Sequence, residues 1–543
     1  MKRYLVPFIL LPLVILGGIL RLYRLDRNPP SLSWDETAVG YNAFTIANWG
    51  RDEWGFKFPL VFKSFEDYKH PVHIYITALF VKFFGVGDFV VRLPAALLGM
   101  VNIVLIYLVG VSLSKKKLVG LFSAGAMTFS PYAIQFSRLN HELNFVIFFF
   151  LLGVYFFYLG IEKNKKFLPF AFLSFGVTLL TYHSAKVVAL PLVLWLMFLH
   201  REELLRNKRY FLISLVPCLF TVLVVATNPQ LLGLARARQT SFSNEEVEHT
   251  FLYQKTKSLL VGRVEIVSKQ YLSHFSPRYL FSTGDKNSRH STQVVGEFYK
   301  TEALFILVGL IFVTYQAITK KKRNYLFLLV WILIAPLPSA LVNEAPHAAR
   351  SMFMLPCLIL LFGVGFDFVT GKLWVRGRVF VVLLSLIVMG LYGSEFYRYL
   401  NYYFDEYPKR YAIDWQYGMK EIVAVSDSKD LYSVFITDAR SQPYIFFLYN
   451  LKYPLPKFLA TVKYNQTGSR SYSLVRSFGK YQFTDWDPVE VVPEDTTLYA
   501  VTPSQYSGLK NKNFFSWVEV IQFPNGLDAF YLVTGKKEVE LDE

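Results

Sequence analysis

The sequence predicts an α-helical polytopic membrane protein of about eleven spans, followed by a C-terminal domain of mixed α/β character on the non-cytoplasmic side. Three observations predict it. The apolar residues fall in blocks long enough to cross a bilayer, and the basic residues sit in short clusters at alternate ends of those blocks. After Phe396 the chain becomes polar and strand-like. Composition agrees, since 53% of the 543 residues are hydrophobic and only 18% are charged, against about 25% charged in an ordinary soluble domain.

A bilayer core takes about 20 mostly apolar residues per helix. The first such stretch runs from about Tyr4 to Leu22, after Lys2 and Arg3. No small-residue cleavage site precedes Arg21, so it reads as an uncleaved span rather than a signal peptide. A polar, aromatic segment, residues 23–88, comes next. Spans two to four follow as Val90–Ser112, Leu118–Ile134 and Leu143–Ile161, and spans five to seven as Phe167–Leu180, Val187–Leu199 and Tyr210–Thr227. A long connection, residues 228–301, precedes Leu304–Ile318, Tyr325–Val342, Met352–Phe368 and Val379–Phe396. That connection is too long and too varied for a plain loop and should contain short helices.

Orientation follows from charge. The clusters at Lys2, Lys115, Lys163, Arg201, Lys320 and Lys372 all fall on alternate connections, hence on one side, the cytoplasmic one. The N-terminus is then cytoplasmic. Segments Tyr23–Asp88, Leu139–Glu142, Tyr182–Lys186, Asn228–Thr301 and Asn343–Arg350 lie outside an inner or plasma membrane, as does the tail. Two domains result, a membrane domain over residues 1–396 and an extracytoplasmic domain over residues 397–543. In the tail, Tyr432–Thr437, Tyr444–Leu448, Leu498–Val501 and Phe530–Val533 read as strands.

Several function classes drop out. The net charge of +17 is dispersed between apolar runs and forms no continuous nucleic-acid surface. Both cysteines, Cys218 and Cys357, lie inside apolar spans, so neither a disulfide framework nor a thiolate metal site is expected. Neither the P-loop nor the Gly-x-Gly-x-x-Gly fingerprint occurs, nor any His-Glu-x-x-His.

What remains is concentrated outside. The first outer segment carries Trp34-Asp35-Glu36, then Arg51-Asp52-Glu53 and Phe65-Glu66-Asp67-Tyr68-Lys69-His70-Pro71. The apolar stretch His73–Phe84, with Lys82 inside it, reads as an interfacial helix. A carboxylate held at headgroup level can serve as general base toward a hydroxyl. Asp35 can equally cap the helix that starts near Glu36, and the segment alone does not separate the two. Arg138 and Glu142 are four residues apart, so on a helix they share a face. His183 and Lys186 sit between two spans, and His347 and Arg350 open the tenth. Each has an ordinary explanation as an ion pair, a snorkelling side chain or an interfacial anchor. Cations are depleted on an outer face, however, and ionisable groups at membrane depth are functional candidates by default. Together they describe a site able to hold a lipid phosphate beside a carboxylate base. A divalent cation on Asp35 and Glu36 is left open, although adjacent acids do not form one chelating face.

Trp34-Asp35-Glu36 after a first span, with Asp67-Tyr68-Lys69-His70-Pro71, resembles the C-type (GT-C) glycosyltransferases. The branch is that of the dolichyl-phosphate-mannose protein mannosyltransferases and the bacterial aminoarabinose transferases. Val91-Arg92-Leu93-Pro94, Tyr182-His183-Ser184-Ala185-Lys186 and Pro346-His347-Ala348-Ala349-Arg350 are similar to its prokaryotic members. The resemblance implies a GT-C fold over residues 1–396 and a polyprenyl-phosphate sugar donor. It also implies inverting transfer to a hydroxyl of a protein, lipid or glycan acceptor. Carried onto this chain, Asp35 is the base and Glu36 a supporting acid. Lys69 holds the donor phosphate, with Arg350, Lys186 and His183 behind it, while Tyr68, Asp67, Arg138, Glu142 and His347 contact substrate. The resemblance establishes no cofactor beyond the open divalent cation. The sequence departs from the aminoarabinose branch around Lys69, where His70 precedes Pro71, so neither sugar nor acceptor is specified. The competing reading, a transporter or flippase of lipid-linked sugars, calls for ionisable residues at span midplanes and two repeated halves, and the sequence has neither feature.

Overall fold

The computed structural model describes residues 5–65, 67–233, 240–429, 431–440, 442–465, 474–484 and 493–536. Lys2, Arg3 and Glu66 lie outside the described residues. The first part of the chain is helical: α1 Leu5–Leu22, α2 Trp34–Trp49, α3 Pro71–Phe84, α4 Asp88–Ser114, α5 Lys117–Phe129, α6 Pro131–Ser137, α7 Glu142–Glu162, α8 Leu168–Leu179, α9 His183–Leu199, α10 Arg201–Arg206 and α11 Lys208–Thr227. Between α2 and α3 the chain forms a hairpin of β1 Phe62–Ser64 and β2 Asp67–Lys69. The chain is a multipass membrane protein. Among the described residues, seven helices are long and apolar enough to cross a bilayer: α4, α7, α11, Lys300–Ile318, Arg323–Ala340, Met354–Arg376 and Arg378–Arg410. The first, third, fifth and sixth expected spans are helices of 18, 13, 12 and 17 residues. At 1.5 Å per residue these reach about 27 Å or less, short of a full bilayer core of about 30 Å.

The third span shows why. It is two helices, because Pro131 has no N–H to offer the Met127 carbonyl. Ser130 caps the second helix through the Ala133 N–H, and Arg21 takes over the freed acceptors. Its guanidinium donates to the Met127 carbonyl at 3.0 Å and the Thr128 carbonyl at 3.3 Å. An arginine with no exposed surface is thus held where a proline opens a helix. The expected ninth span breaks in the same way at Pro336, into Arg323–Ile334 and Leu337–Ala340. The long connection, residues 228–301, does contain short helices, among them Asn244–Glu248, Phe251–Thr256 and Leu259–Ser273.

The chain divides into two compact units, one of Met1–Tyr23 and Leu93–Tyr403, the other of Arg24–Arg92 and Phe404–Glu543. This division differs from the expected one at residue 396, since residues 24–92 group with the tail. Packing explains it. Ala38 and Tyr41 of α2 are buried in one cluster with Tyr444–Tyr449 of the tail. The Tyr41 hydroxyl donates to the Tyr453 carbonyl at 2.9 Å, and a Cβ at Gly40 would strike the Tyr449 ring.

Among the described residues, the tail forms a seven-stranded mixed sheet. Its strands are β3 Ser433–Thr437, β4 Lys463–Tyr464, β5 Val475–Phe478, β6 Tyr481–Thr484, β7 Thr497–Val501, β8 Phe515–Gln522 and β9 Asp528–Gly535. Their order is β4-β5-β6-β3-β7-β9-β8, with β3 parallel to both neighbours. Three of the four expected strands lie within it. The fourth, Tyr444–Leu448, is a helix, Pro443–Asn450. Its aromatic residues favour a strand, but a strand parallel to its neighbours needs a crossover connection, and this segment supplies it. Pro443 opens the helix, and Tyr444 through Tyr449 are all buried.

Candidate active site

In the unit of Arg24–Arg92 and Phe404–Glu543, α2 places the acidic motif. Ser33 is the helix N-cap. Its hydroxyl accepts from the Glu36 N–H, and the Glu36 carboxylate accepts from the Ser33 N–H at 3.1 Å. Asp35 is therefore not the cap; the Ser33-x-x-Glu36 spacing was the legible signal for the actual one. Glu36 is buried and has a second partner. Arg92 Nε donates to its Oε1 at 2.9 Å and Nη2 to its Oε2 at 3.1 Å. The remaining Arg92 donors meet the carbonyls of Leu25, Pro29 and Ser31. All five guanidinium N–H groups are thus used, three of them to hold the turn that leads into α2. In the sequence Arg92 stands out only as part of Val91-Arg92-Leu93-Pro94; nothing local marks it as the partner of a residue 56 positions away.

With the cap supplied by Ser33, Asp35 sits in the first turn of α2, where the helix dipole favours a carboxylate. Lys69 Nζ lies 2.5 Å from Asp35 Oδ1, and the Asp35 side chain is 40% exposed against 15% for Lys69. The hairpin positions the lysine: Lys69 pairs with Phe62 across β1–β2, and its ammonium lies 5.6 Å from the Phe65 ring centre. Tyr68 and Asp67 precede it on the same strand, and Asp67 Oδ1 accepts from the Tyr68 N–H. Nearby Glu53 is buried. Burial first, and then repulsion from Asp52, push its carboxyl up to about 8, with the Lys69 charge opposing. A divalent cation bridging Asp35 and Glu36 does not fit, because each carboxylate is already matched to its own cation, Lys69 or Arg92.

In the other unit, the expected Arg138–Glu142 helix face does not form. Arg138 ends α6 and Glu142 begins α7, with Leu139–His141 outside both helices. Arg138 instead donates to the Leu20 and Tyr23 carbonyls at the end of α1, both at 2.8 Å. Those are acceptors that a helix C-terminus leaves open. Glu142 pairs with His141 at 2.9 Å. His183 opens α9 against Gly233, where a Cβ would overlap its ring. Lys186 donates to the Tyr182 carbonyl at 3.3 Å. Arg350 donates to the Asn343 carbonyl at 2.6 Å and lies 3.6 Å from Glu344. His347 meets two residues that the sequence did not single out, Asp285 and His290. Burial lowers the pKa of both histidines, His347 to about 2, while the His290 contact and the Asn287 N–H keep Asp285 ionised against the opposing effect of burial.

The sequence pattern of the family described as dolichyl-phosphate-mannose-protein mannosyltransferase matches residues 68–227. No curated protein matches the chain. Among solved structures, ArnT from Cupriavidus metallidurans in the apo state is 14% identical, with 96% of this chain and 97% of that chain covered at a TM-score of 0.57. The same protein bound to undecaprenyl phosphate gives 13%, 98%, 99% and 0.56. The chain has the GT-C fold. The Archaeoglobus fulgidus oligosaccharyltransferase, tethered with an acceptor peptide, also shares this GT-C fold, at 13% identity and a TM-score of 0.53. The match covers 82% of this chain, which spans 63% of that longer one.

Proposed function

We propose that this chain is a membrane glycosyltransferase that moves a sugar from a polyprenyl-phosphate donor to a hydroxyl acceptor on the non-cytoplasmic face, with inversion. The observation that carries the reading is the Asp35–Lys69 pair, a half-exposed carboxylate with a lysine 2.5 Å away. The acceptor O–H gives its proton to Asp35 as its oxygen attacks the anomeric carbon. The bond from that carbon to the phosphate oxygen breaks, and the electron pair leaves with the polyprenyl phosphate. The leaving group is already stable, so the protein supplies cations rather than a proton donor.

Lys69 is the first cation and Asp35 its resting counter-ion. An arriving phosphate competes for the ammonium and leaves the carboxylate as the acceptor's base. Glu36 is a positioning residue, because its bonds to Ser33 and Arg92 fix the helix start that carries Asp35. Arg350, Lys186 and His183 are secondary candidates for the phosphate. Asp67, Tyr68, Glu142 and His347 remain the candidate substrate contacts, while the fully buried Arg138 serves to hold the end of α1; the acceptor is a protein, lipid or glycan hydroxyl. The bound undecaprenyl phosphate of the similar ArnT supports this donor class. The test is transfer by the purified chain from a panel of polyprenyl-phosphate sugars to hydroxyl acceptors. Product formed with inverted anomeric configuration supports the reading; hydrolysis or inertness across donors and acceptors overturns it.

A further inference from the structure

Asp285, His290 and His347 offer one ligand atom each, all within 4.8 Å of one another. The three come from two segments that close on each other, residues 283–297 and 343–350. Asp285 Oδ2 lies 3.1 Å from His290 Nδ1 and 3.9 Å from His347 Nδ1, and the two imidazole centres are 4.7 Å apart. The side chains are 4%, 12% and 13% exposed. On a tetrahedral zinc with ligands at 2.0–2.2 Å, neighbouring ligand atoms stand about 3.3 Å apart. The two Asp285–histidine spacings straddle that value and all three ligand atoms lie within 4.8 Å, so the set closes on an ion with movement of about 1.5 Å or less.

The surroundings are those of a supported metal site. The Asn287 N–H donates to Asp285 Oδ1 at 2.8 Å, and the Ala348 N–H to Oδ2 at 2.7 Å. These bonds orient the carboxylate as outer-shell donors do. The Asp285 N–H in turn donates to the buried Glu297 carboxylate at 2.9 Å. The His290 ring lies 5.5 Å from Phe136. The Arg350 N–H donates to His347 Nδ1 at 3.3 Å. Arg350, Arg289 and the His141 ring face the cluster, and Asp285 supplies its carboxylate ligand.

We propose that Asp285, His290 and His347 bind a divalent transition-metal ion of the zinc class. Two imidazole nitrogens and one carboxylate oxygen suit such an ion, which would clamp segment 343–350, and with it Arg350, to segment 283–297. The proposal stands on this geometry and does not depend on the glycosyltransferase reading.

The test uses the purified full chain in detergent, stripped with a chelator and dialysed against zinc sulfate. Expected is about one zinc per chain by elemental analysis. His290→Ala and His347→Ala should lose it, while His249→Ala, in a different loop, should keep it. Wild type holding no more zinc than the double variant His290→Ala/His347→Ala overturns the site. Where those variants do not fold, cobalt in the stripped wild type decides. Intense visible d–d bands of four-coordinate cobalt, and a thermal midpoint that falls on stripping and returns with zinc, support the site. Their absence overturns it.

Discussion

Lys69 Nζ and Asp35 Oδ1 are 2.5 Å apart, although the residues come from a hairpin and a helix start 34 positions apart in sequence. The pair sets the first prediction. Asp35→Asn keeps the shape and the hydrogen bond but removes the base. Sugar transfer should fall by about 10²–10⁴-fold in kcat, with little change in donor KM. Lys69→Ala should instead raise donor KM and weaken binding of free polyprenyl phosphate. Full turnover in Asp35→Asn would remove the base assignment. An unchanged donor affinity in Lys69→Ala would move the phosphate role to Arg350 or Lys186.

The Glu36–Arg92 pair is fully buried. Arg92→Lys leaves at most three donors for the five bonds the guanidinium makes, and Glu36→Gln leaves Arg92 without its counter-charge. Breaking one side of a buried pair costs about 3–5 kcal/mol. Both variants should therefore unfold at markedly lower temperature or denaturant concentration, measured in detergent. If either unfolded like wild type, the pair would not be what holds the start of α2.

Glu53 makes stability depend on pH. Its carboxyl is raised from 4.5 to about 8 in the folded chain, first by burial. Below pH 4.5 both folded and unfolded states carry the proton and the whole contribution is present. As pH rises the unfolded chain ionises first, so stability falls until the folded group titrates near 8. Glu53→Gln should flatten the decline of thermal midpoint between pH 5 and 8 by one proton's worth. Parallel curves for the two proteins would show that Glu53 is not the group responsible.

Helices Lys300–Ile318 and Met354–Arg376 meet through two glycines. A Cβ at Gly365 would overlap the Phe305 carbonyl, and one at Gly309 the Leu361 carbonyl. Small residues permit this approach between membrane helices. Gly365→Ala should destabilise by about 1–3 kcal/mol through forced separation. Gly371→Ala on the same helix, with nothing within 4 Å, should be neutral or slightly stabilising because alanine is the better helix former. Equal effects on the unfolding midpoint would refute the packing account.

The helices of the membrane-embedded part were legible because a bilayer imposes a length of apolar chain and a charge asymmetry that can be counted along the sequence. The capping box at Ser33 and Glu36 was local too, readable from one four-residue spacing, whereas the breaks at Pro131 and Pro336 were not, since Pro12, Pro94, Pro191 and Pro217 sit inside unbroken helices. Asp35 and Lys69 were recognisable as candidates, but their approach was not, since a hairpin register and a helix start had to be fixed together. The strand expected at Tyr444–Leu448 failed for a related reason. Its residues suit a strand, and only the parallel pairing of β3 required a helix there.

By itself, then, the sequence determined a multipass membrane chain with its acidic and basic side chains at particular loop ends, because hydropathy and charge act residue by residue. Only the tertiary structure decided that Glu36 belongs to Arg92 and Asp35 to Lys69. It also decided that residues 24–92 share a core with the tail and that Asp285 and His290 meet His347. Those pairings depend on segments far apart in the chain packing against one another, and a close ion pair or a shared core leaves no periodic trace in the sequence that encodes it.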